Sequence, residues 1–172
     1  SRHERQVLVY VSVSSVSRSL DLEPAASPVE VRFMNFQLSE KGISTCLLVK
    51  PFLKWEDSDV ECLIDLLASN RPDFICVGAA YRKQTNSYAH PTGQGYFSIG
   101  VTDPMLNFAN KLRSRTGIRV FHNASCVIAF ANRTLPMSKI WSDYPHLCVS
   151  CMDCETLFNE ANATTKGVFY GH

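Results

Sequence analysis

Two adjacent patterns near the middle of the chain restrict the fold more than anything else in it. Val60, Leu63, Ile64 and Leu67 recur at i, i+3, i+4 and i+7, the stripe of an amphipathic helix. Asp57 or Ser58 stands where its cap belongs, and the pattern ends near Asn70, just before Pro72. Phe74-Ile75-Cys76-Val77 then follows, closed by Gly78, a continuous apolar run of strand length with no alternation. Such a run marks a strand covered on both faces. A helix crossing from an earlier strand into a buried one makes a parallel, right-handed connection, so the spacing predicts an α/β core.

Upstream, Gln6 to Ser14 alternates at the β-period. Val7, Val9, Val11 and Val13 share one face, and Leu8 and Tyr10 the other. A polar, proline-containing stretch over Ser15 to Pro28 reads as an exposed loop. Val29 to Leu38 reads as a second strand, Ser39-Glu40-Lys41-Gly42 as its turn and Ile43 to Val49 as a third, together an antiparallel meander. Downstream, residues 82–100 are rich in Gly, Ser, Thr, Gln and Asn and read as a long loop. Asp103-Pro104 opens a helix with Met105, Phe108, Ala109 and Leu112 inward and Gly117 as terminator. Ile118 to Phe121 is a fifth strand, and from Ala124 two helical pieces follow, broken at Pro136, the second capped near Asp143 and running to about Ala161.

The order βββ-α-β-α-β-α(α) predicts an α/β fold of the RNase H-like kind: a five-stranded mixed sheet, in which a three-strand antiparallel meander joins two parallel strands, with helices on both faces. A doubly wound domain would instead place helices between the first strands. At 172 residues the expectation is a single domain spanning 1–172.

Seventeen basic and sixteen acidic side chains leave a net charge of +1, which gives no overall footprint for nucleic acid or an anionic membrane. Lys111, Arg113 and Arg115 cluster at a helix end, where cations suit the dipole. The apolar runs are too short to span a bilayer and the polar first residues carry no signal region, which fits an intracellular chain. Seven cysteines is an odd number, and Cys46, Cys62 and Cys76 lie inside apolar runs, as reduced thiols used for packing would. Sequons at Asn123, Asn132 and Asn162 are short matches and carry little weight.

An RNase H-like nuclease needs carboxylates converging from its first strand, from the end of its fourth and from the region after its fifth, because only anionic ligands hold two hard cations close together. Val11 and Ser12, Ala79 and Ala80, and His122 and Asn123 stand at those places. All are neutral, so no catalytic residue, no metal ligand and no cofactor site is expected. His122 and Asn123 form a polar pair at the end of a buried strand, where ligands bind in α/β folds, though a histidine bonded to backbone at a helix start is the simpler expectation. Cys148, Cys151 and Cys154, with His146, have spacings that suit zinc, but Leu147, Cys151, Cys154, Phe158 and Ala161 also form a helical stripe and no fourth ligand follows. Gly93-Gln-Gly95 lacks the lysine and context of a phosphate loop.

Several landmarks carry a resemblance. Arg71-Pro-Asp-Phe-Ile-Cys-Val-Gly78, Ile118-Arg-Val-Phe-His-Asn123 with Ala131-Asn132 beyond it, Asp143-Tyr-Pro145, Leu157-Phe-Asn-Glu-Ala161 and Val168-Phe-Tyr-Gly-His172 span most of the chain. In these the sequence resembles the YqgF-type, RuvC-like domains of the suppressor-of-Ty-six transcription elongation factors, relatives of bacterial Tex. The resemblance implies a catalytically inactive nuclease-like scaffold within a longer nuclear protein. It also implies RNA polymerase II elongation complexes and histones as partners of that protein. A nuclease with an unconventional metal site and a zinc-stabilised binding domain are the alternatives. The aromatic residues Tyr81, Tyr88, Tyr96 and Phe97 in and beside the 82–100 loop are the first choice for a partner surface.

Overall fold

A computed structural model describes residues 7–17, 22–23, 25–50, 52–53, 55–78 and 102–132, together with the backbone of 81–83 and 96–98. Four strands, β1 (Leu8–Ser12), β2 (Ser44–Val49), β3 (Phe74–Val77) and β6 (Arg119–Phe121), form one sheet in that order, every neighbouring pair parallel. β4 (Tyr81–Lys83) and β5 (Tyr96–Ser98) pair antiparallel as a separate ribbon, so the two ends of the segment read as a loop are strands. The helices are α1 (Val29–Phe33), which continues as a 3-10 helix over Met34–Lys41, then α2 (Asp57–Ser69), α3 (Asp103–Thr116) and α4 (Ala124–Ala131).

The mixed, RNase H-like sheet is therefore wrong, and the error lies in one segment. Val29, Val31 and Phe33 alternate as a strand would, but Val31 is half-exposed, while the side chains fully covered are Val29, Phe33 and Phe36. That spacing of four and three is helical. Gly42, at φ 76°, ends the 3-10 turn in the left-handed region where a side chain is disfavoured. With a helical segment in place of the second strand there is no meander. β1 and β2 are joined by a crossover and run parallel, with Leu8 opposite Ser44 and Ser12 opposite Leu48. The sheet is of the Rossmann or flavodoxin-like kind.

Each strand adds to the same edge as the one before, and right-handed crossovers then put every connecting helix on one face. The packing agrees. Val11, Val13, Leu47, Val49, Ile75, Val77 and Val120 meet the apolar stripes of α1, α2 and α3 in one core. The opposite face, with Tyr10, Cys46, Leu48, Cys76 and Phe121, is covered by Cys126, Val127 and Phe130 of α4. The strands thus alternate between two interiors.

The other expected elements form close to their predicted bounds. Glu56, not Asp57 or Ser58, stands at the α2 cap and makes no side-chain capping bond. Thr102 stands at the α3 cap, and Gly117 closes α3 at φ 64°. α4 accounts for the first of the two helical pieces expected after Ala124. The second piece, Pro136 and the landmarks from Asp143 to His172 lie outside the described residues.

Candidate functional site

In a parallel sheet all strands end on one side, so four loops and the amino-terminal turns of the crossover helices converge there. Open α/β sheets receive ligands beyond this edge at a switch in strand order, and the described strands, which follow one another in a single direction, have no such switch. Two concavities on this edge are lined by described residues. The larger, about 400 Å³, opens between the first turns of α2 and α3 and is lined by Phe52, Trp55, Val60, Pro104 and Phe108, with Asp57, Asn107 and Lys111 as its polar members. The aromatic rings form a continuous stack: Phe108 lies 5.3 Å from Phe52 and 4.9 Å from Trp55, centroid to centroid, in tilted contact. Such pairs add about 0.5–1.5 kcal/mol each beyond the area they bury, so the cup has rigid walls. Lys111 pairs with Glu61 at 3.1 Å and with Asp57 at 3.4 Å, which fixes one rim.

The smaller concavity, about 260 Å³, lies beside the turn that follows β1. Ser15 Oγ donates to Asp59 Oδ2 at 2.8 Å, Val16 N–H to the same oxygen at 3.3 Å and Ser17 N–H to Asp59 Oδ1 at 2.7 Å. Burial of Asp59 opposes its ionisation, but the hydrogen bonds from Ser17, Ser15 and Val16 outweigh it and hold the carboxyl below the usual carboxylate range. Ser14 Oγ donates to Glu23 at 2.6 Å, and Arg32 pairs with Glu23 while donating to the Ser12 carbonyl at 2.6 Å.

At the described positions where nuclease carboxylates would stand, the residues have structural roles. Val11 is in the core, and the Ser12 carbonyl holds Arg32. Ala79 and Ala80 lie outside the described residues. Asn123 caps α4, its Oδ1 accepting from Ser125 N–H at 3.0 Å and from Ser125 Oγ at 2.9 Å. His122 is half-buried. Desolvation lowers its pKa and the Arg113 charge lowers it further, against a hydrogen bond to the Val77 backbone. The histidine stands just before the Asn123 cap of α4, and its buried Nδ1 has no hydrogen-bond partner.

The basic run is spent on structure. Lys111 and Arg115 pair with α2 carboxylates, and Arg113 donates to the Val120 carbonyl at 3.0 Å. Cys46 and Cys76 are buried together against Cys126 of α4, while Cys62, expected inside the core, is exposed on α2. Burial pushes the Cys76 thiol up to about 12 and raises Cys46 as well, so both stay protonated and poor as metal ligands. Among the described residues no group of His, Cys, Asp or Glu has an arrangement to hold a metal ion. His146, Cys148, Cys151 and Cys154 lie outside them, as does Tyr88. No described helix is long and apolar enough to cross a membrane.

The aromatic cup went unseen in the sequence because its members come from the Phe52–Trp55 connection and from the α3 stripe, 53 positions apart between Trp55 and Phe108. Comparison of the chain with family models, with curated proteins and with solved structures gives no match.

Proposed function

We propose that this chain is a non-catalytic binding module that takes a small, flat, largely apolar ligand in the cup between the first turns of α2 and α3. The observation that carries the reading is the cup itself. Its volume of about 400 Å³ suits a small organic ligand, and it is walled by three aromatic rings with a few polar groups on its rim.

A binding role agrees with what nucleophiles among the described residues do. The Ser14 and Ser15 hydroxyls donate to carboxylates, and burial holds Cys46 and Cys76 as thiols. The landmarks that resemble the elongation-factor family also have local work. Arg71 Nη1 donates to the Thr116 carbonyl at 2.7 Å. Asp73 accepts from Thr45 N–H at 2.7 Å and from Ser39 Oγ at 3.1 Å, tying β3 to the start of β2. A Cβ on Gly78 would fall 2.8 Å from Lys50 Cδ, so glycine there lets the lysine stem lie close. Association with RNA polymerase II and histones in a nuclear protein, as the resemblance implies, rests on those motifs alone.

The test is a protein-observed NMR screen with a set of small aromatic fragments. Binders are expected to shift the amides of Val60, Asn107 and Lys111 together. Asn107→Trp, an exposed position on the cup, should fill the mouth and abolish those shifts while leaving the rest of the spectrum in place. A screen in which no fragment moves that set, or in which Asn107→Trp leaves binding intact, refutes the assignment.

A further inference from the structure

β1 is the outermost strand of the described sheet, and only its inner flank is paired, with β2. The Val13 N–H donates to the Leu48 carbonyl at 2.9 Å, so the odd-numbered residues of this segment turn their main-chain groups toward β2. Leu8, Tyr10 and Ser12 turn theirs outward. Arg32 takes the outward Ser12 carbonyl at 2.6 Å. The N–H and C=O groups of Leu8 and Tyr10 meet no main-chain partner among the described residues. Natural proteins blunt such a flank with a charge, a proline or a bulge. Leu8–Ser12 carries no charge and no proline, its register with β2 runs unbroken, and Val7 just before it is 61% exposed. A strand that pairs here must be as neutral and apolar as β1, and a second β1 meets that condition. Two copies related by a two-fold axis bring the strands together antiparallel. With the Ser12 carbonyl occupied, the register that fits sets Leu8 opposite the partner's Tyr10, a pair that exchanges both its main-chain hydrogen bonds. Val9 then meets the partner's Val9 at the axis, where side chains approach closest, and the exposed Val7 lies beside the partner's Val11.

We propose that the outer flank of β1 is a self-association surface, on which a second copy of this chain pairs antiparallel and joins two sheets into one. The surface is independent of the aromatic cup, and the two stand or fall separately.

The experiment is sedimentation velocity on the wild type, Val9→Lys and Val9→Glu, from about 1 to about 100 μM, the range in which modest interfaces dissociate. Val9 is half-buried and lies outside the core cluster, so both substitutions leave the packed interior intact. The wild type is expected to pass from monomer to dimer across the range. Each variant sets like charges against each other at the axis and should stay monomeric, while an equal mixture of the two sets Lys against Glu and should dimerise again. A wild type that is monomeric throughout, as it would be if the flank served a strand of another protein, overturns the proposal. So does a dimer that both substitutions leave intact, or a mixture that stays monomeric. If either variant lacks the wild-type circular dichroism, Val7→Asp, at an exposed side chain, takes its place. It should weaken the dimer about tenfold, and an unchanged dissociation constant overturns the proposal.

Discussion

Asp59→Asn changes one oxygen to an amide and removes a charge, and its cost follows from the geometry. Oδ2 accepts from Ser15 and Val16, and Oδ1 from Ser17 at 2.7 Å. An asparagine keeps one carbonyl oxygen for one of these groupings and turns an NH₂ toward the other, so at least one short bond is lost and a buried donor faces a donor. Hydrogen bonds to charged groups are worth about 1.5–3 kcal/mol, and an orphaned buried donor costs about 1–3. The variant should therefore be about 2–4 kcal/mol less stable than the wild type at pH 7. The Asp59 carboxyl titrates lower folded than unfolded, so its stabilisation is fully present above the unfolded value, about 3.9, and is lost as pH falls through the folded value. The gap between the two proteins should hold from pH 7 to pH 5 and close below pH 4. Urea unfolding followed by far-ultraviolet circular dichroism at pH 7, 5, 4 and 3 measures it, with an unchanged denaturant slope as the control. A gap under about 0.5 kcal/mol at pH 7 would show that the clamp contributes no more than a surface contact. A gap that ignores pH would show that ionisation is not its source.

Two further outcomes follow from the buried titratable groups. Alkylation of the native protein with iodoacetamide, mapped by mass spectrometry, should label Cys62 and spare Cys46, Cys76 and Cys126 until denaturant is added; early labelling of the buried three would mean that α4 does not cover them. His122 has a folded pKa below its ordinary value of 6.5, so the unfolded chain takes the proton first and stability falls as pH drops from about 6.5. His122→Gln should flatten the melting temperature between pH 7 and 5, and an unaltered slope would place the histidine in solvent.

Helices α2 and α3 were legible because their stripes are long and their ends are marked, α3 by Pro104 and Gly117. β3 was legible because four apolar residues in a row have nowhere to go but the middle of a sheet. Val29–Leu38 misled because a ten-residue stretch with Val29, Val31 and Phe33 satisfies the strand period, and the exposure of Val31 with the burial of Phe36 breaks the tie. That one segment decided whether β1 and β2 ran antiparallel or parallel, and so the fold. The sites were hidden for another reason. Asp59 reads as an ordinary acid in a first helical turn, and its role exists only once the loop after β1 is laid beside α2. The cup likewise needs α2 and α3 side by side, a consequence of the crossovers and not of any local motif.

The single direction in which the sheet grows bears on how the chain assembles. Each strand of the sheet docks on an edge that the preceding strand has just left open, and none has to be threaded between two already in place. Structure can therefore accumulate in the order in which the ribosome delivers it, one strand and its crossover at a time. The second interior is the exception. Cys46, Cys76 and Tyr10 wait uncovered until α4 emerges behind β6, so that face stays exposed for longest, and crowded or slow synthesis would find its aggregation-prone intermediate there.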